Sequence, residues 1–358
     1  MDKILAQQIA EEMQCISLQR MQQPVVFLQP FSAAYIPLPL KEENFVSITP
    51  LNADKCTIFV DGGNAEILRT PDCSLQFLRF AAVAFSGTKR FSMQKKEGYV
   101  LVSSLHAHGA MHVTLTGYGD LRSLAPLTLS YDDQLLLHGN QRTKLQICAE
   151  LFRSLYEIQF AEEVLKNFSA REKNPVLVLD RALLPGNVYE EKAFASLYSA
   201  TEQTKAVICG LNKTTNLLTN TGESIVQYLS RFGKKGCWLY YPFFSSYDPK
   251  HRALLSFVKF HSLSEHIFRF EMHSSQEDDL YTAASLLASL SNDGAFLGYP
   301  YGLIAVDQFA RVSNREKESL QLLFLNHTAK TSFSTTALDA HDILDGIGAR
   351  KKTSIRHK

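Results

Sequence analysis

Several chemical signatures are missing from this chain of 358 residues. No two of its six cysteines lie two or three positions apart, which argues against a zinc knuckle or a thioredoxin-like redox motif. There is no Walker phosphate-binding loop and no glycine fingerprint of dinucleotide-binding proteins. No window approaches 18 uninterrupted apolar residues, and the first residues lack the apolar run of a signal peptide. We therefore expect a cytoplasmic protein without a membrane span.

Net charge is also nearly absent. The chain has 37 Lys and Arg residues against 36 Asp and Glu residues, a formal net charge of +1. Such a protein cannot attract nucleic acid through its overall field, so DNA binding would need local basic patches or a partner that delivers the DNA. Hydrophobic residues make up 45% of the chain, which is enough to build the core of one large α/β domain or two ordinary ones.

Strand and helix patterns alternate in a way that is typical of an α/β fold. Apolar runs at 56–60, 175–179 and 206–210 predict three buried strands, and a broad apolar stripe predicts a helix at 141–168. A helix at 189–203 then separates the second and third strands, which predicts a parallel pair with a right-handed crossover. The other expected elements are a helix at 3–22, an antiparallel meander at 64–118, strands at 237–244, 254–260 and 266–272, and helices at 277–291, from about Leu303 and from Ser313.

Two of the buried strands are followed directly by an aspartate, Asp61 and Asp180. We predict that the first of these strands stops in a tight turn at Asp61-Gly62-Gly63. Carboxylates at strand ends sit on rigid supports at the edge of the sheet, where the active sites of α/β folds gather. Such oxygens can hold Mg²⁺ or Mn²⁺, and two such ions can assist the hydrolysis of a phosphodiester. The alternative is that both are ordinary turn aspartates.

A third carboxylate ligand is expected from the helix at 141–168. The candidates are Glu150, Glu157, Glu162 and Glu163. Glu157 is the preferred one because it stands at the edge of the buried face, and Ala161 one turn later leaves space beside it. Any of the four could instead be a solvated surface residue, which is the usual place of glutamate on a helix.

Five short motifs, in order along the chain, resemble those of the NurA nucleases, which work in archaeal DNA end resection beside the hexameric HerA translocase. The motifs are Phe59-Val60-Asp61-Gly62-Gly63, Val178-Leu179-Asp180-Arg181-Ala182-Leu183, Cys209-Gly210-Leu211-Asn212-Lys213-Thr214, Phe268-Arg269-Phe270-Glu271 and Gly298-Tyr299-Pro300-Tyr301, the last with Asp307 eight residues after Tyr299. Two positions depart from the family pattern. Gly63 stands where the family usually has Ser, and Arg181 stands where it usually has Gly.

The resemblance implies a fold and an activity. The fold would be a ribonuclease-H-like α/β fold, with a mixed sheet flanked by helices, related to the Argonaute nuclease domain. The activity would be that of a Mn²⁺-dependent DNA nuclease, with Mg²⁺ as the other candidate ion. It would act as an exonuclease, and on single-stranded DNA also as an endonuclease, in end resection for recombinational repair. The implied partners are single- and double-stranded DNA, a HerA-like hexameric ATPase and a second copy of the chain.

Roles can also be assigned to individual residues, for Glu157 and Arg181 from their own positions in the sequence and for the others from the resemblance. The expected catalytic residues are Asp61, Asp180, Glu157, Lys213, Tyr299 and Asp307, and the expected DNA contacts are Arg181, Lys213 and Arg269. Asp61, Asp180 and Glu157 would hold the metal. Lys213 would face the scissile phosphate and stabilise the charge of the transition state. Tyr299 and Asp307 would complete the site from the C-terminal part of the chain.

The expected organisation has three parts. Residues 1–50 would form a helix and an extended arm for dimer or partner docking, 51–330 the nuclease domain, and 331–358 a flexible basic tail. Two other functions stay open. Gly63 and Arg181 allow a catalytically degenerate relative that binds and regulates a HerA ring. Asp61-Gly62-Gly63 after a strand also allows an actin-like sugar kinase, although no second glycine-rich phosphate hairpin and no adenosine site is recognisable.

Overall fold

A computed structural model of the protein describes residues 3–21, 23–70, 72–107, 109–123, 126–138, 141–142, 145–169, 172–233 and 235–328. The strands of its large sheet are β1 (Phe45–Ser47), β2 (Cys56–Thr70), β3 (Cys73–Ser86), β4 (Lys89–Ala107), β5 (Ala110–Gly119), β6 (Leu127–Ser130), β7 (Val176–Leu179), β8 (Val207–Asn212), β9 (Trp238–Tyr240), β10 (Ala253–Lys259) and β11 (Phe268–His273). The α-helices are α1 (Lys3–Met21), α2 (Leu145–Ser169), α3 (Val188–Thr204), α4 (Ile225–Phe232), α5 (Leu280–Ser289), α6 (Tyr301–Ala310) and α7 (Asn314–Thr328). The expected basic tail at 331–358 lies outside the described residues.

The eleven strands form one mixed sheet in the order β1-β9-β10-β11-β8-β7-β2-β3-β4-β5-β6. The strand β7 pairs in parallel with β8 on one side and with β2 on the other. The pairs β8–β11, β10–β11, β9–β10, β9–β1, β4–β5 and β5–β6 are antiparallel. The parallel pair predicted from the strand–helix–strand order is therefore confirmed.

The parallel centre is recognisable in the sequence because its strands are covered on both faces. All four residues of β7 are buried, and so are the first five residues of β2, Cys56–Val60. A strand buried on both faces has a continuous apolar run rather than an alternating one. This explains why these two segments could be predicted as buried strands from composition alone.

The tight turn predicted at Asp61 is wrong. The strand β2 continues through Asp61, Gly62 and Gly63 and ends at Thr70. What ends at Val60 is the pairing with β7, in which Leu179 is the last partner. Beyond that point the side chains of β2 are mostly half-buried. Glycines favour turns by local preference, whereas here their backbone is extended and their lack of a side chain allows close packing.

The chain forms two compact units made of interleaved segments. The first comprises the described residues of Met1–Val60, Val83–Ser92 and Ala161–Ala305. Its interior includes a largely aromatic cluster, with Trp238, Tyr240 and Phe257 at 1% exposure or less. This cluster packs strands β9 and β10 against α4, because Ile225 and Leu229 of that helix belong to it.

The second unit comprises the described residues of Asp61–Ala82, Met93–Phe160 and Val306–Lys358. Within it, Arg79 of β3 donates to Glu97 of β4 and to Glu316 of α7. The rings of Tyr99 and Phe324 meet at 5.0 Å. These contacts attach helix α7 to the strands that carry Arg79 and Tyr99. Among the helices that the structure describes, none is long and apolar enough to cross a membrane.

Candidate metal centre

Asp61 and Asp180 come directly after two residues that pair across neighbouring parallel strands. Val60 of β2 lies opposite Leu179 of β7. Because neighbouring strands lie about 4.8 Å apart, the two residues that follow start from adjacent backbone positions. One carboxylate oxygen each of Asp61, Asp180 and Asp307 can be chosen so that all three lie within 4.8 Å of one another. The structure therefore brings together Asp61 and Asp180, the two expected metal ligands, with Asp307, which was expected to complete the site.

Asp307 comes from helix α6, which begins directly after Tyr299-Pro300. Helix α6 lies very close to β2, since a side chain at Gly302 would stand 2.1 Å from the ring of Phe59. The ring of Tyr301 contacts Phe85, which itself contacts Phe59. This packing fixes where the helix starts and runs, and Asp307 lies further along the same helix.

The donor set of this group fits a hard divalent cation. All three residues offer carboxylate oxygens and are partly exposed. Oxygen donors are those preferred by Mg²⁺ and Mn²⁺, whereas a zinc or copper site normally includes sulfur or imidazole. Carboxylates this close repel one another, and nearby positive charge reduces that repulsion. A bound cation would supply that charge.

Lys213 and Tyr299 both contact Asp180. The ammonium of Lys213, in the segment directly after β8, donates to Oδ2 of Asp180 at 2.6 Å. The hydroxyl of Tyr299 donates to Oδ1 at 3.1 Å. The same ammonium lies 5.3 Å from the centre of the Tyr299 ring. Three residues that the sequence predicted for the site therefore form one cluster, in which both oxygens of Asp180 are oriented by the protein.

Glu157 lies beside β2 but outside the group of three carboxylates. It is 3% exposed, and its Oε2 accepts a hydrogen bond of 3.1 Å from Arg153, one turn earlier on α2. Arg153 also donates to the carbonyl of Gly62 at 2.9 Å. Oε2 of Glu157 is 3.1 Å from where a side chain at Gly62 would begin. Glu157 thus lies beside Gly62 and is linked to its carbonyl through Arg153, and its role as a metal ligand stays a prediction.

The other glutamates of α2 are placed differently. Glu150 and Glu163 are exposed. Glu162 pairs with Lys166 one turn later, at 2.6 Å. Of the four candidates that the sequence left open, Glu157 is therefore the one in the interior, as its position at the edge of the buried face suggested.

The three expected DNA contacts differ in their access to solvent. The side chain of Lys213 is 39% exposed. That of Arg181 is 18% exposed, pairs with Glu190 at 3.0 Å and lies over the ring of Phe194. That of Arg269 is 9% exposed and donates from Nε to Glu271 at 2.6 Å. Of the three, Lys213 is the best placed to meet a phosphate.

The departure from the family pattern at Gly63 has a steric cause. A side chain there would start 2.3 Å from the carbonyl oxygen of Ala310, closer than any real contact. The end of helix α6 therefore packs directly on the backbone of β2 at this position. The serine that the family usually has would not fit without a shift of that helix end.

Ion pairs of buried glutamates near the site were not predicted from the sequence. Arg153 and Glu157 are four residues apart on one helix, a spacing at which opposite charges meet. Arg269 and Glu271 are two apart on one strand, so their side chains share a face. Both spacings could have predicted these pairs. The contacts of Glu190, which accepts from Arg181 and Gly186, depend on a loop whose course no local pattern shows.

A mixed sheet whose parallel centre has one aspartate within a strand, Asp61, and one directly after the neighbouring strand, Asp180, is typical of a ribonuclease-H-like fold. No protein-family model and no curated protein sequence matches the chain. Its structure is similar to the crystal structure of the NurA nuclease from Sulfolobus solfataricus, with a TM-score of 0.54 and 10% identity over 92% of this chain and 98% of that one. This likeness confirms the fold that the five motifs implied.

Two other solved structures are similar to a lower degree. The catalytic domain of human endonuclease V gives a TM-score of 0.40 at 12% identity, over 78% of this chain and 93% of that one. The A. aeolicus Argonaute gives 0.33 at 12% identity, over 75% of this chain and 30% of that one.

Proposed function

We propose that this chain is a metal-dependent nuclease that hydrolyses the phosphodiester bonds of DNA. The observation that carries the proposal is the group of three carboxylates from Asp61, Asp180 and Asp307, on a fold similar to that of a NurA nuclease. The oxygen-only donor set supports Mn²⁺, or Mg²⁺, as the cofactor. When bound, such ions activate water and stabilise the leaving oxygen of the phosphodiester.

Four residues around the carboxylates position the groups that would take part in hydrolysis. Tyr299 holds one oxygen of Asp180 and keeps the carboxylate from rotating. Lys213 contacts the other oxygen, and its flexible four-carbon stem lets the ammonium turn to a phosphate oxygen beside Asp180. There it would stabilise the negative charge that develops on the phosphoryl group. Arg153 and Glu157 hold the backbone of β2 at Gly62, next to Asp61.

The proposed setting is DNA end resection in the cytoplasm, as an exonuclease and single-strand endonuclease, with a second copy of the chain and a HerA-like hexameric ATPase. The near-zero net charge supports dependence on a partner that delivers DNA, because the chain has no strong overall field. Helix α1 supports a docking role for the N-terminal arm. Its apolar residues Ile9, Met13 and Ile16 are 50%, 67% and 41% exposed.

The test is cleavage of linear duplex and single-stranded DNA with Mn²⁺, with Mg²⁺ and with a chelator. We expect Mn²⁺-stimulated cleavage that falls at least about 10³-fold in Asp61→Asn and Asp180→Asn, since each removes a ligand charge. Asp54→Asn, at an exposed position just before β2, is the matched control and should leave cleavage unchanged. Unchanged cleavage by Asp61→Asn would contradict the proposal.

The second candidate is a relative that does not cleave DNA and instead binds and regulates a hexameric ATPase ring. The observation that favours it is the Lys213 ammonium at 2.6 Å from Asp180, which supplies positive charge that a cation would otherwise bring. Calorimetry with Mn²⁺ separates the two candidates. Binding of the ion that is lost in Asp61→Asn supports the nuclease, and absence of binding together with absence of cleavage supports the regulator.

A further inference from the structure

The segment 181–187 connects Asp180 to helix α3, and two buried carboxylates hold its backbone. Glu271 accepts a hydrogen bond of 2.7 Å from the amide of Leu183. Glu190 accepts one of 2.9 Å from the amide of Gly186. The segment ends at Asn187, which caps α3 by accepting from two amides of its first turn. The chain that directly follows Asp180 is thus fixed at several points by side chains.

Glu271 is the deepest of these side chains, with no exposed surface. Its carboxylate also accepts from Nε of Arg269 at 2.6 Å and lies 3.3 Å from Nε2 of His251. His251 in turn is joined through Nδ1 to the hydroxyl of Tyr35, at 2.9 Å. Burial raises the pKa of Glu271, but Arg269 and His251 lower it further, to about 2. Glu271 is therefore an ionised, fixed acceptor for the Leu183 amide.

Gly210 lets the segment lie directly on the sheet. It is the cross-strand partner of Glu271 in the β8–β11 pair. A side chain at Gly210 would begin 2.4 Å from the carbonyl oxygen of Arg181 and 3.0 Å from the side chain of Leu183. Leu183 itself is fully buried, and its carbonyl accepts from the hydroxyl of Tyr198 at 3.3 Å. Leu183 is thus held by its amide, its carbonyl and its side chain.

We infer that Glu271 is a positioning residue for the metal ligand Asp180. By binding the Leu183 amide above Gly210, it keeps the segment after β7 in one conformation, and this fixes the backbone from which the Asp180 carboxylate extends. Glu271 touches neither metal nor substrate in this role. The inference rests on the proposed function, because it takes Asp180 as a metal ligand. Supporting residues of this kind typically change metal affinity by about 10–100-fold when they are replaced.

The sharpest test is Gly210→Ala, which pushes the segment off the sheet and leaves Glu271, Arg269 and His251 in place. The matched control is Gly294→Ala, where a side chain would meet nothing within 4 Å. Two quantities are measured: hydrogen exchange of the backbone around Leu183 without metal, and the Mn²⁺ affinity by calorimetry and by titration of cleavage. Glu271→Gln is the second variant, since it keeps an oxygen near the amide but removes the charge.

We expect Gly210→Ala to speed exchange around Leu183 and to raise the Mn²⁺ concentration for half-maximal cleavage by about 10–100-fold. The maximal rate should largely recover at saturating Mn²⁺. Glu271→Gln should shift both quantities in the same direction. If Glu271→Gln fails to fold, the results for Gly210→Ala alone test the positioning role.

A merely structural role for Glu271 would lower thermal stability without moving the half-saturating Mn²⁺ concentration. That result, or unchanged exchange around Leu183 in Gly210→Ala, would overturn the inference. If the unmodified protein neither binds Mn²⁺ nor cleaves DNA, the proposed function fails and the positioning role fails with it. Exchange around Leu183 would still show separately whether Gly210 and Glu271 hold the segment.

Discussion

The ammonium of Lys213 lies 2.6 Å from Oδ2 of Asp180. The side chain of Asp180 is 9% exposed and that of Lys213 is 39% exposed, so the pair has one end in the protein and one towards solvent. A cation bound by Asp180 would compete with the ammonium for the same oxygen. Lys213 therefore has two roles: it places a positive charge beside the candidate metal ligand Asp180, and its ammonium can turn towards a phosphate of the substrate.

Lys213→Ala should separate these two roles. We expect a fall of about 10²–10³-fold in the maximal cleavage rate, the size typical for loss of a group that stabilises charge in the transition state. Mn²⁺ affinity should stay the same or increase, because a competing positive charge is gone. The measurement is a Mn²⁺ titration of cleavage, with Lys41→Ala, at an exposed lysine, as the control. Weaker Mn²⁺ binding in Lys213→Ala would contradict this account.

Tyr299→Phe removes one hydrogen bond to Asp180 and keeps the packing of the ring. Tyr299 is 1% exposed, and its ring contacts Phe268 and Phe296 at 5.2 and 5.0 Å. A hydrogen bond to a charged group contributes roughly 1.5–3 kcal/mol. We expect Mn²⁺ to bind about tenfold more weakly, which calorimetry would measure. Tyr301→Phe, at a 43% exposed tyrosine, should change nothing, and an equal effect there would argue against a specific role of Tyr299.

The centre of the sheet could be predicted from the sequence, whereas the course of β2 could not. The first five residues of β2 and all of β7 are buried on both faces, which leaves a continuous apolar run in the sequence. Gly62 and Gly63 are the residues of a turn by local preference. Inside the strand, Gly62 lies close to Glu157 and Gly63 lies close to Ala310, and no local pattern shows contacts with residues so distant in the sequence.

The candidate site was predictable to a similar extent. Asp61 and Asp180 each come directly after an apolar run of the sequence, and the parallel pairing of these two runs brings the aspartates together. Asp307 was expected to complete the site, but its place among three converging carboxylates depends on how closely α6 packs on Phe59. The burial of Glu157 agrees with its predicted position at the edge of the buried face of its helix. Its partner Arg153 and its contact with Gly62 became visible only in the structure.

Asp307→Asn should weaken Mn²⁺ binding as strongly as Asp180→Asn. We expect a loss of at least about 100-fold, beyond the range typical of a supporting residue. Calorimetry on folded protein is the measurement, and Glu157→Gln is the comparison. A loss of similar size there would make Glu157 a ligand as well. A fall in thermal stability alone would limit Glu157 to holding Arg153 and Gly62. Unchanged Mn²⁺ binding in Asp307→Asn would remove Asp307 from the ligand set.

Gly63→Ser restores the residue that the NurA pattern usually has, and we expect it to be harmful in this chain. Its Cβ would stand 2.3 Å from the carbonyl oxygen of Ala310, so the end of α6 must shift. Overpacking of this kind costs about 1–3 kcal/mol. Chemical denaturation should show that loss, with Gly294→Ser, in open space, as the control. Higher activity without loss of stability would show that the added hydroxyl is accommodated.

The buried carboxylate of Glu271 should make stability depend on pH in acid. Its pKa is about 2 in the folded protein against an ordinary value of 4.5, so the folded state favours the ionised form. That stabilisation is complete above about pH 4.5 and is lost as the pH falls towards 2. A shift of this size corresponds to a contribution on the order of 3 kcal/mol.

The difference in unfolding free energy between the unmodified protein and Glu271→Gln should therefore shrink between pH 5 and pH 3. Denaturation curves at pH 7, 5, 4 and 3 measure it, with Glu318→Gln, at an exposed glutamate, as the control. A difference that stays constant down to pH 3 would mean that Arg269 and His251 do not hold Glu271 ionised.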